Sequence, residues 1–141
     1  MTYDSDYLVV YGTLRPAFTN AFAHYLRQHS EYVGEGTFPG LLFDLGNYPG
    51  AVYQIDRMER VCGTIYNITR HKPALLLHLD AYESIGEQFE QPTEYIRTII
   101  PVDFQGTRLD CWVYIYNLSV TDKIVIASGD YAQHIDSQQN R

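Results

Sequence analysis

Tyr7-Leu-Val-Val-Tyr-Gly-Thr-Leu-Arg15 is the stretch of the chain that decides its interpretation. The first five of these residues form a short apolar run that ends at Gly12. A β-branched apolar run closed by glycine is typical of a buried strand that feeds directly into a loop. We therefore predict a buried first strand and, at its end, a loop over residues 11–14.

Two later segments have the periodicity of amphipathic helices. Asn20 is suited to cap a helix over about residues 21–29, whose apolar positions fall on one face. Pro73 is suited to the first position of a second helix, whose apolar face runs from Leu75 to Tyr82. The sequence therefore predicts two helices, one after the first strand and one in the middle of the chain.

Short strands and turns account for most of the remaining chain. Residues 31–55 predict short strands that alternate with turns, with turn signals at residues 38–40 and 48–50. Residues 61–66 predict another strand, and residues 95–102 and 109–116 predict two strands joined as a hairpin. The last apolar run, 124–127, precedes a polar end, 137–141, that we expect to be frayed.

These elements predict one α+β domain over residues 1–141, with its core at about 7–131. The short strands and frequent turns favour a small mixed, mostly antiparallel, barrel-like β-sheet with two flanking helices.

Composition and charge exclude several classes of protein. The formal net charge is −7 and no run of Lys and Arg interrupts it, so a nucleic-acid partner is not expected. No stretch approaches the roughly 20 apolar residues that span a bilayer, and the first residues are acidic where a signal peptide is basic. We expect a cytoplasmic protein with no membrane partner, in which Cys62 and Cys111 are buried reduced thiols.

Most catalytic motifs are missing from the sequence. The histidines show no metal-ligand spacing, and no Cys-x-x-Cys pair, Gly-x-Ser-x-Gly elbow or Walker A lysine is found. We therefore expect no metal site and no cofactor. Two candidate features are left: the loop after the first strand and a carboxylate, Glu83, at the end of the second helix.

The 11–14 loop resembles the Tyr-Gly-Thr/Ser-Leu loop of the gamma-glutamylcyclotransferase-like superfamily, especially of its AIG2-like branch. Further similar segments follow in the family's order, and the resemblance covers about residues 7–131. It departs at Ser84, where the family usually has glycine, and in a longer stretch before Tyr95. The further similar segments are Tyr48-Pro49-Gly50, Leu79-Asp80-Ala81-Tyr82-Glu83, Glu94-Tyr95-Ile96-Arg97, Cys111-Trp-Val-Tyr114-Ile-Tyr116 and Ser128-Gly129-Asp130.

The resemblance implies an enzyme, an acyltransferase or lyase, that cyclises a gamma-glutamyl amide to 5-oxoproline and releases an amine or amino acid. It implies Glu83 as the general acid/base, with Asp80 as its nearest rival. It also implies a set of substrate-binding residues: Tyr11, Gly12, Thr13, Leu14, Tyr95 and Tyr114. Two alternatives stay open: a non-catalytic small-molecule-binding domain of the same fold, and another reaction on a gamma-glutamyl amide.

The residues themselves suggest how such a site could work. Gly12 has no Cβ, so backbone can come close to a ligand, and successive N–H groups of the loop can bind a carboxylate or an oxyanion. Glu83 follows an apolar helix face, where partial burial would raise its pKa. We expect Gly12 and Glu83 to open on one cavity. Arg15 could add charge for a carboxylate or face solvent.

The other tyrosines of the matched segments divide into two groups. We expect the hydroxyls of Tyr95 and Tyr114 to bond the substrate or Glu83, or else their rings to serve cross-strand packing. Three further tyrosines are assigned to the core: Tyr66, Tyr82 and Tyr116.

Overall fold

The computed structural model describes residues 4–83 and 91–139. Its first strand, β1, is the apolar run of the opening stretch, and the described residues form ten strands and α-helices in all. They are β1 (Tyr7–Val10), α1 (Ala21–Gln28), β2 (Glu31–Asp44), β3 (Pro49–Tyr53), β4 (Arg60–Asn67), α2 (Lys72–Tyr82), β5 (Tyr95–Phe104), β6 (Thr107–Tyr116), β7 (Ile124–Val125) and α3 (Tyr131–Gln139).

Five strands close into a barrel in the order β2-β4-β1-β6-β5, because β2 also pairs with β5 where Thr37 faces Asp103. Strands β1 and β6 run parallel, and the other pairs are antiparallel. Strands β3 and β7 extend the sheet from the second half of β2. The predicted fold class, a mixed and mostly antiparallel barrel-like sheet with flanking helices, is confirmed.

Strand β1 divides the core into two layers. Successive side chains of a strand point to opposite faces of the sheet. Val9 accordingly belongs to the cluster inside the barrel, whereas Leu8 and Val10 belong to a second cluster with Leu26 of α1 and Leu79 of α2. Full burial of such a side chain contributes about 1.5–3 kcal/mol. The apolar run therefore fixes the barrel and both helices at once.

The two predicted helices are present, and a third follows them. The Asn20 carboxamide accepts a hydrogen bond from the N–H of Ala23 at 2.9 Å and so caps α1. Helix α3 corrects the prediction of two helices and covers residues 137–139 of the end expected to be frayed, whereas residues 140–141 lie outside the described part of the chain. The Asp130 carboxylate accepts from the N–H of Gln133 at 3.1 Å, and Tyr131 is buried against the barrel. Asp130 is thus an N-cap signal that the prediction missed.

Strand β2 also differs from the prediction of short strands. It is continuous over 14 residues, and the turn signal at residues 38–40 marks a change of partner. Pro39 still pairs with β4, opposite Arg60, whereas Gly40 already pairs with β3, opposite Tyr53. The Pro-Gly step therefore lets one strand serve both the barrel and its extension.

Candidate functional site

A cavity of about 390 Å³ opens at the end of β1, between the 11–14 loop, the start of β3, the end of α2 and strands β5 and β6. We call it the Glu83 cavity. The structure places all of the sequence-predicted site residues on its wall: Tyr11, Gly12, Thr13, Leu14, Glu83, Tyr95 and Tyr114. Residues far apart in the chain meet here because β1 lies between β4 and β6 in the barrel and α2 packs against its outer face.

The 11–14 loop is held from two sides. The N–H of Arg15 donates to the Gly12 carbonyl at 3.1 Å, and the Asn20 side chain donates to the Thr13 carbonyl at 2.7 Å. A Cβ on Gly12 would lie 2.8 Å from Cγ of Pro49. Glycine is therefore required by the packing of β3 against the loop, a reason that the sequence did not show.

The loop also has backbone hydrogen-bond donors without an acceptor among the described residues. Within residues 4–83 and 91–139, no acceptor binds the backbone N–H groups of Gly12, Thr13 and Leu14. Three successive N–H groups beside a cavity are suited to hold an anionic group.

Glu83 ends α2, and its N–H donates to the Leu79 carbonyl at 2.9 Å. No described residue donates a hydrogen bond to its carboxylate or forms an ion pair with it. Burial, with a smaller contribution from the negative charge of Glu94, raises the pKa of Glu83 to about 8. The cavity wall has no Lys, Arg or His among the described residues. Glu83 can therefore gain or lose a proton near neutral pH.

Asp80, the rival to Glu83, lies in a different environment. Its carboxylate forms an ion pair with Arg97 at 2.8 Å and accepts a hydrogen bond from the Tyr114 hydroxyl at 2.8 Å. It is not part of the cavity wall. Asp80 therefore orients Tyr114 behind the wall.

The buried tyrosines of the wall donate to the protein itself. The Tyr11 hydroxyl donates to the Tyr114 carbonyl at 2.5 Å and accepts from the N–H of Ala51 at 3.2 Å. The Tyr95 hydroxyl donates to the Pro49 carbonyl at 2.6 Å. Burial is the main cause that raises the pKa of Tyr11, Tyr95 and Tyr114. Their hydroxyls remain protonated and already engaged, so the rings present aromatic surface to the cavity.

The wall residues that the sequence analysis missed include Tyr48, Tyr82 and Glu94. Tyr82, assigned to the core, lines the cavity, and its hydroxyl lies 2.9 Å from the Thr13 hydroxyl. Tyr48 donates to the Glu94 carboxylate at 2.6 Å at the same wall. Tyr48 and Glu94 belong to segments that resemble the family, and this was the signal from which their place at the site could have been predicted.

Arg15 does not reach the cavity. Its side chain is buried and forms ion pairs with Glu35 and Asp130, each at 2.9 Å, and it donates to the Thr64 hydroxyl at 3.3 Å. We call these four residues the Arg15 cluster. The Arg15 guanidinium thus stabilises the fold through these contacts and does not contact the Glu83 cavity.

Other expectations concern features beyond this cavity. Tyr66 and Tyr116 are buried in the core, as expected. Over the described residues, no group of His, Cys, Asp and Glu is placed to hold a metal ion. No helix in that part of the chain is long and apolar enough to cross a membrane. Ser84 and the longer stretch at 84–90 lie outside the described residues.

A small α+β barrel with an acidic cavity at the end of its first strand defines the class of protein. The profile of the family "Gamma-glutamyl cyclotransferase, AIG2-like" matches residues 8–133. The chain belongs to this family.

Known relatives agree with this membership. A Vibrio cholerae protein named "Putative gamma-glutamylcyclotransferase" is 37% identical over 128 residues, which cover 89% of this chain and 95% of the relative. The "Gamma-glutamylcyclotransferase family protein YtfP" of Escherichia coli K12 is 30% identical over 125 residues, 88% of this chain and 94% of YtfP. Family and relatives together indicate a gamma-glutamylcyclotransferase-like function.

Solved structures show the same fold. The solution structure of ytfP from Escherichia coli superposes with a TM-score of 0.63 at 27% identity, over 92% of this chain and 98% of that one. The crystal structure of YkqA from Bacillus subtilis superposes with a TM-score of 0.73 at 23% identity. That match covers 98% of this chain but only 44% of YkqA, so it shows the fold alone.

Proposed function

We propose that the protein cyclises a gamma-glutamyl amide to 5-oxoproline and releases an amine or amino acid. The observation that carries the proposal is one cavity that holds a half-buried carboxyl, Glu83, and the N–H groups of the 11–14 loop, neither of which has a partner among the described residues. The substrate's own α-amine attacks its γ-carbonyl carbon. A five-membered lactam forms, the original amide C–N bond breaks, and no nucleophile of the protein is needed.

Two protons move during this reaction. The α-nitrogen must lose one proton before attack and a second as it becomes the lactam N–H. The leaving nitrogen gains both, the first from Glu83 as the C–N bond breaks and the second from solvent. The Glu83 carboxylate accepts the first proton and, as a carboxylic acid, donates it to the leaving amine. A pKa of about 8 is close to the pH at which a group performs both steps well, and such catalysis typically contributes about 10²–10⁴-fold.

The remaining work is orientation. The N–H groups of the 11–14 loop hold the α-carboxylate or the oxygen that becomes negative during attack. They suit this role because the described wall has no cationic side chain. A substrate curled so that amine and carbonyl are in contact gains up to about 7–11 kcal/mol over an unconstrained encounter.

The aromatic wall favours cyclisation over hydrolysis. The rings of Tyr11, Tyr95 and Tyr114 surround the end of the cavity, and their hydroxyl protons are bound to the protein. The rings therefore exclude bulk water. Their hydroxyls have no free proton with which to hold a water molecule beside the reacting carbon.

The test is product analysis on the purified protein without added metal or nucleotide. A panel of gamma-glutamyl amides, including gamma-glutamyl-alanine, gamma-glutamyl-ε-lysine and glutathione, is incubated and analysed by mass spectrometry. At least one member should give 5-oxoproline and free amine in equal amounts. Its N-acetylated form should be inert, because the nucleophile is blocked, and so should its α-glutamyl isomer, whose amide lies on the wrong carboxyl.

Two results would replace the proposal. Glutamate in place of 5-oxoproline would mean that water is the nucleophile and that the protein is a hydrolase. A saturable thermal shift with 5-oxoproline, but no product from any panel member, would favour the non-catalytic binding domain.

A further inference from the structure

A second depression, of about 640 Å³, lies between the segment after the 11–14 loop, α1, β2, β4 and α3. We call it the Arg27 groove. It shares no lining residue with the Glu83 cavity, and the proposed reaction does not use it. Its charged lining residues are Arg15, Arg27 and Glu35.

Arg27 contributes a positive charge that no acidic residue neutralises in the described part of the chain. Its guanidinium donates to the Phe18 carbonyl at 3.1 Å and lies 3.5 Å from Nδ1 of His24. Arg15, by contrast, is held by Glu35 and Asp130. In a protein with a net charge of −7, a half-buried guanidinium without a carboxylate is suited to bind an anion.

Tyr66 provides the second, independent observation. The residue is only 2% exposed, and its hydroxyl is the one buried side-chain oxygen or nitrogen in the described chain without a hydrogen-bond partner. Buried polar atoms in native proteins are nearly always paired, so an unpaired one requires an explanation. Burial raises the pKa of Tyr66, and the charge of Arg27 together with a weak hydrogen-bond interaction from its side chain opposes that rise. The guanidinium therefore lies beside the hydroxyl without the distance and angle of a full hydrogen bond.

The rest of the groove indicates the size and charge of the ligand. Pro16, Ala17 and Ala132 give it an apolar wall, and the ring of Tyr32 at its edge is 60% exposed. Glu35 also lines the groove, and its negative charge disfavours a dianion such as phosphate. The lining is thus complementary to a compact apolar body that carries one negative charge.

We propose that the Arg27 groove is a second ligand site, which binds a small organic monocarboxylate. The carboxylate is held by the Arg27 guanidinium and accepts a hydrogen bond from the Tyr66 hydroxyl. The apolar body of the ligand packs on the alanine and proline wall and on Tyr32. Because the hydroxyl is closed to solvent, Arg27 must shift as the ligand enters.

Benzoate is the probe, because it is a compact apolar monocarboxylate. In ¹H–¹⁵N spectra of the full chain, benzoate should shift the amides of Ala17, Arg27 and Ala132 saturably, and neutral benzamide should not. Arg27→Met should weaken benzoate binding about tenfold or more, as expected for loss of a charged partner. Tyr66→Phe should weaken it about three- to tenfold. Arg70→Met should bind benzoate like the wild type.

The matched control is chosen because Arg70 is also an arginine that donates to a backbone carbonyl, that of Gln28, but it is exposed and lies outside the groove. Should Arg27→Met fail to fold, two other variants test the proposal: Tyr66→Phe and Arg27→Lys. Arg27→Lys keeps the positive charge but loses the planar guanidinium.

Several results would overturn the proposal. These are no saturable shift with benzoate, shifts confined to the Glu83 cavity, or equal affinity in the Arg27→Met or Arg27→Lys protein. Tighter binding of inorganic phosphate than of benzoate would overturn the assignment to a monocarboxylate. A Tyr66→Phe protein with a higher Tm and unchanged benzoate affinity would remove the hydroxyl from the site.

Discussion

The Glu83 cavity and the Arg15 cluster both adjoin the 11–14 loop, but they differ in whether an ionisable side chain has a partner of opposite charge. In the cluster, Arg15 is only 8% exposed, and its guanidinium forms ion pairs with two carboxylates, Glu35 and Asp130. In the cavity, Glu83 shares the wall with tyrosine rings, and the described wall has no cationic side chain. The fold therefore pairs the charge that fixes the loop and leaves the Glu83 carboxyl without a partner among the described residues, as the proposed proton transfer requires.

The same contrast exists along one helix. Asp80 and Glu83 are three residues apart at the end of α2, yet Asp80 is bound by Arg97 and Tyr114, whereas Glu83 is not bound by any described side chain. The chemical type of the residue does not decide its role. The role depends on which side chains of the neighbouring strands contact each position.

Replacement of the unpaired carboxyl should have the largest effect. Glu83→Gln keeps the shape of the side chain and removes the site that gains and loses the proton. We expect kcat for 5-oxoproline release to fall about 10²-fold or more, with little change in substrate affinity, because the loop N–H groups are unaltered. Steady-state kinetics on an active panel member provides the measurement.

Asp80→Asn is the matched control for that variant. It should lower the free energy of unfolding, because Arg97 loses its charged partner, and any loss of activity should accompany that loss of stability. Normal turnover by Glu83→Gln, with a strong kinetic defect in a fully stable Asp80→Asn protein, would transfer the acid/base role to Asp80.

Removal of the paired cation should have the next largest effect, on stability. Arg15→Met keeps the apolar stem and leaves Glu35 and Asp130 without their cation. Deletion of one partner of a buried pair costs about 3–5 kcal/mol. Here the acids are partly exposed, with side-chain exposure of 49% and 32%, so about 2–3 kcal/mol is expected after allowance for solvent screening.

Urea unfolding of Arg15→Met beside Arg57→Met measures this effect. Arg57 also pairs with a glutamate, Glu59, but here the arginine is exposed as well, with side-chain exposures of 40% and 47% for the two residues. Its loss should therefore cost less than about 1 kcal/mol. Equal destabilisation by the two substitutions would show that the Arg15 cluster contributes no more than a surface ion pair.

The sequence predicted the elements whose signals are local. The apolar run at β1, the Asn20 cap of α1, the proline start of α2 and the hairpin of β5 and β6 each depend on a few neighbouring residues. In the structure this hairpin turns at Gln105-Gly106. Both residues of that turn have positive φ, 48° and 79°, as a two-residue hairpin requires.

Features that depend on distant partners were predicted poorly. The length of β2 depends on β4 and β3, which pair with its two halves. Gly12 is explained by Pro49, and Tyr82 reaches the cavity because Thr13 meets it there. No local pattern contains these contacts. The residues predicted for the site do lie together, but their roles remain predictions.

A smaller effect should appear in the pH dependence of stability. The pKa of Glu83 is about 8 in the folded protein against an ordinary value of 4.5, so between these pH values the folded state keeps a proton that the unfolded state has released. Folding stability due to Glu83 is therefore full below pH 4.5 and is lost as pH rises through 8. Glu83→Gln lacks this loss.

We therefore expect the two proteins to have similar Tm values near pH 4.5. Above pH 8 the Glu83→Gln protein should be more stable by about 1–2 kcal/mol, since a half-buried carboxylate recruits some water when it ionises. Thermal unfolding from pH 4 to 9 measures the difference. A constant difference across this range would mean that Glu83 is not the group whose charge opposes folding.

Titration of Glu83 itself tests most directly whether the cavity keeps this carboxyl unpaired for proton transfer. Protein labelled with ¹³C at the glutamate carboxyl carbon is followed by NMR from pH 3 to 10, and the Glu83 signal is assigned by its absence from the Glu83→Gln spectrum. The account predicts an inflection near pH 8. An inflection at or below pH 4.5 would contradict it, because a carboxyl that ionises there is solvated or paired.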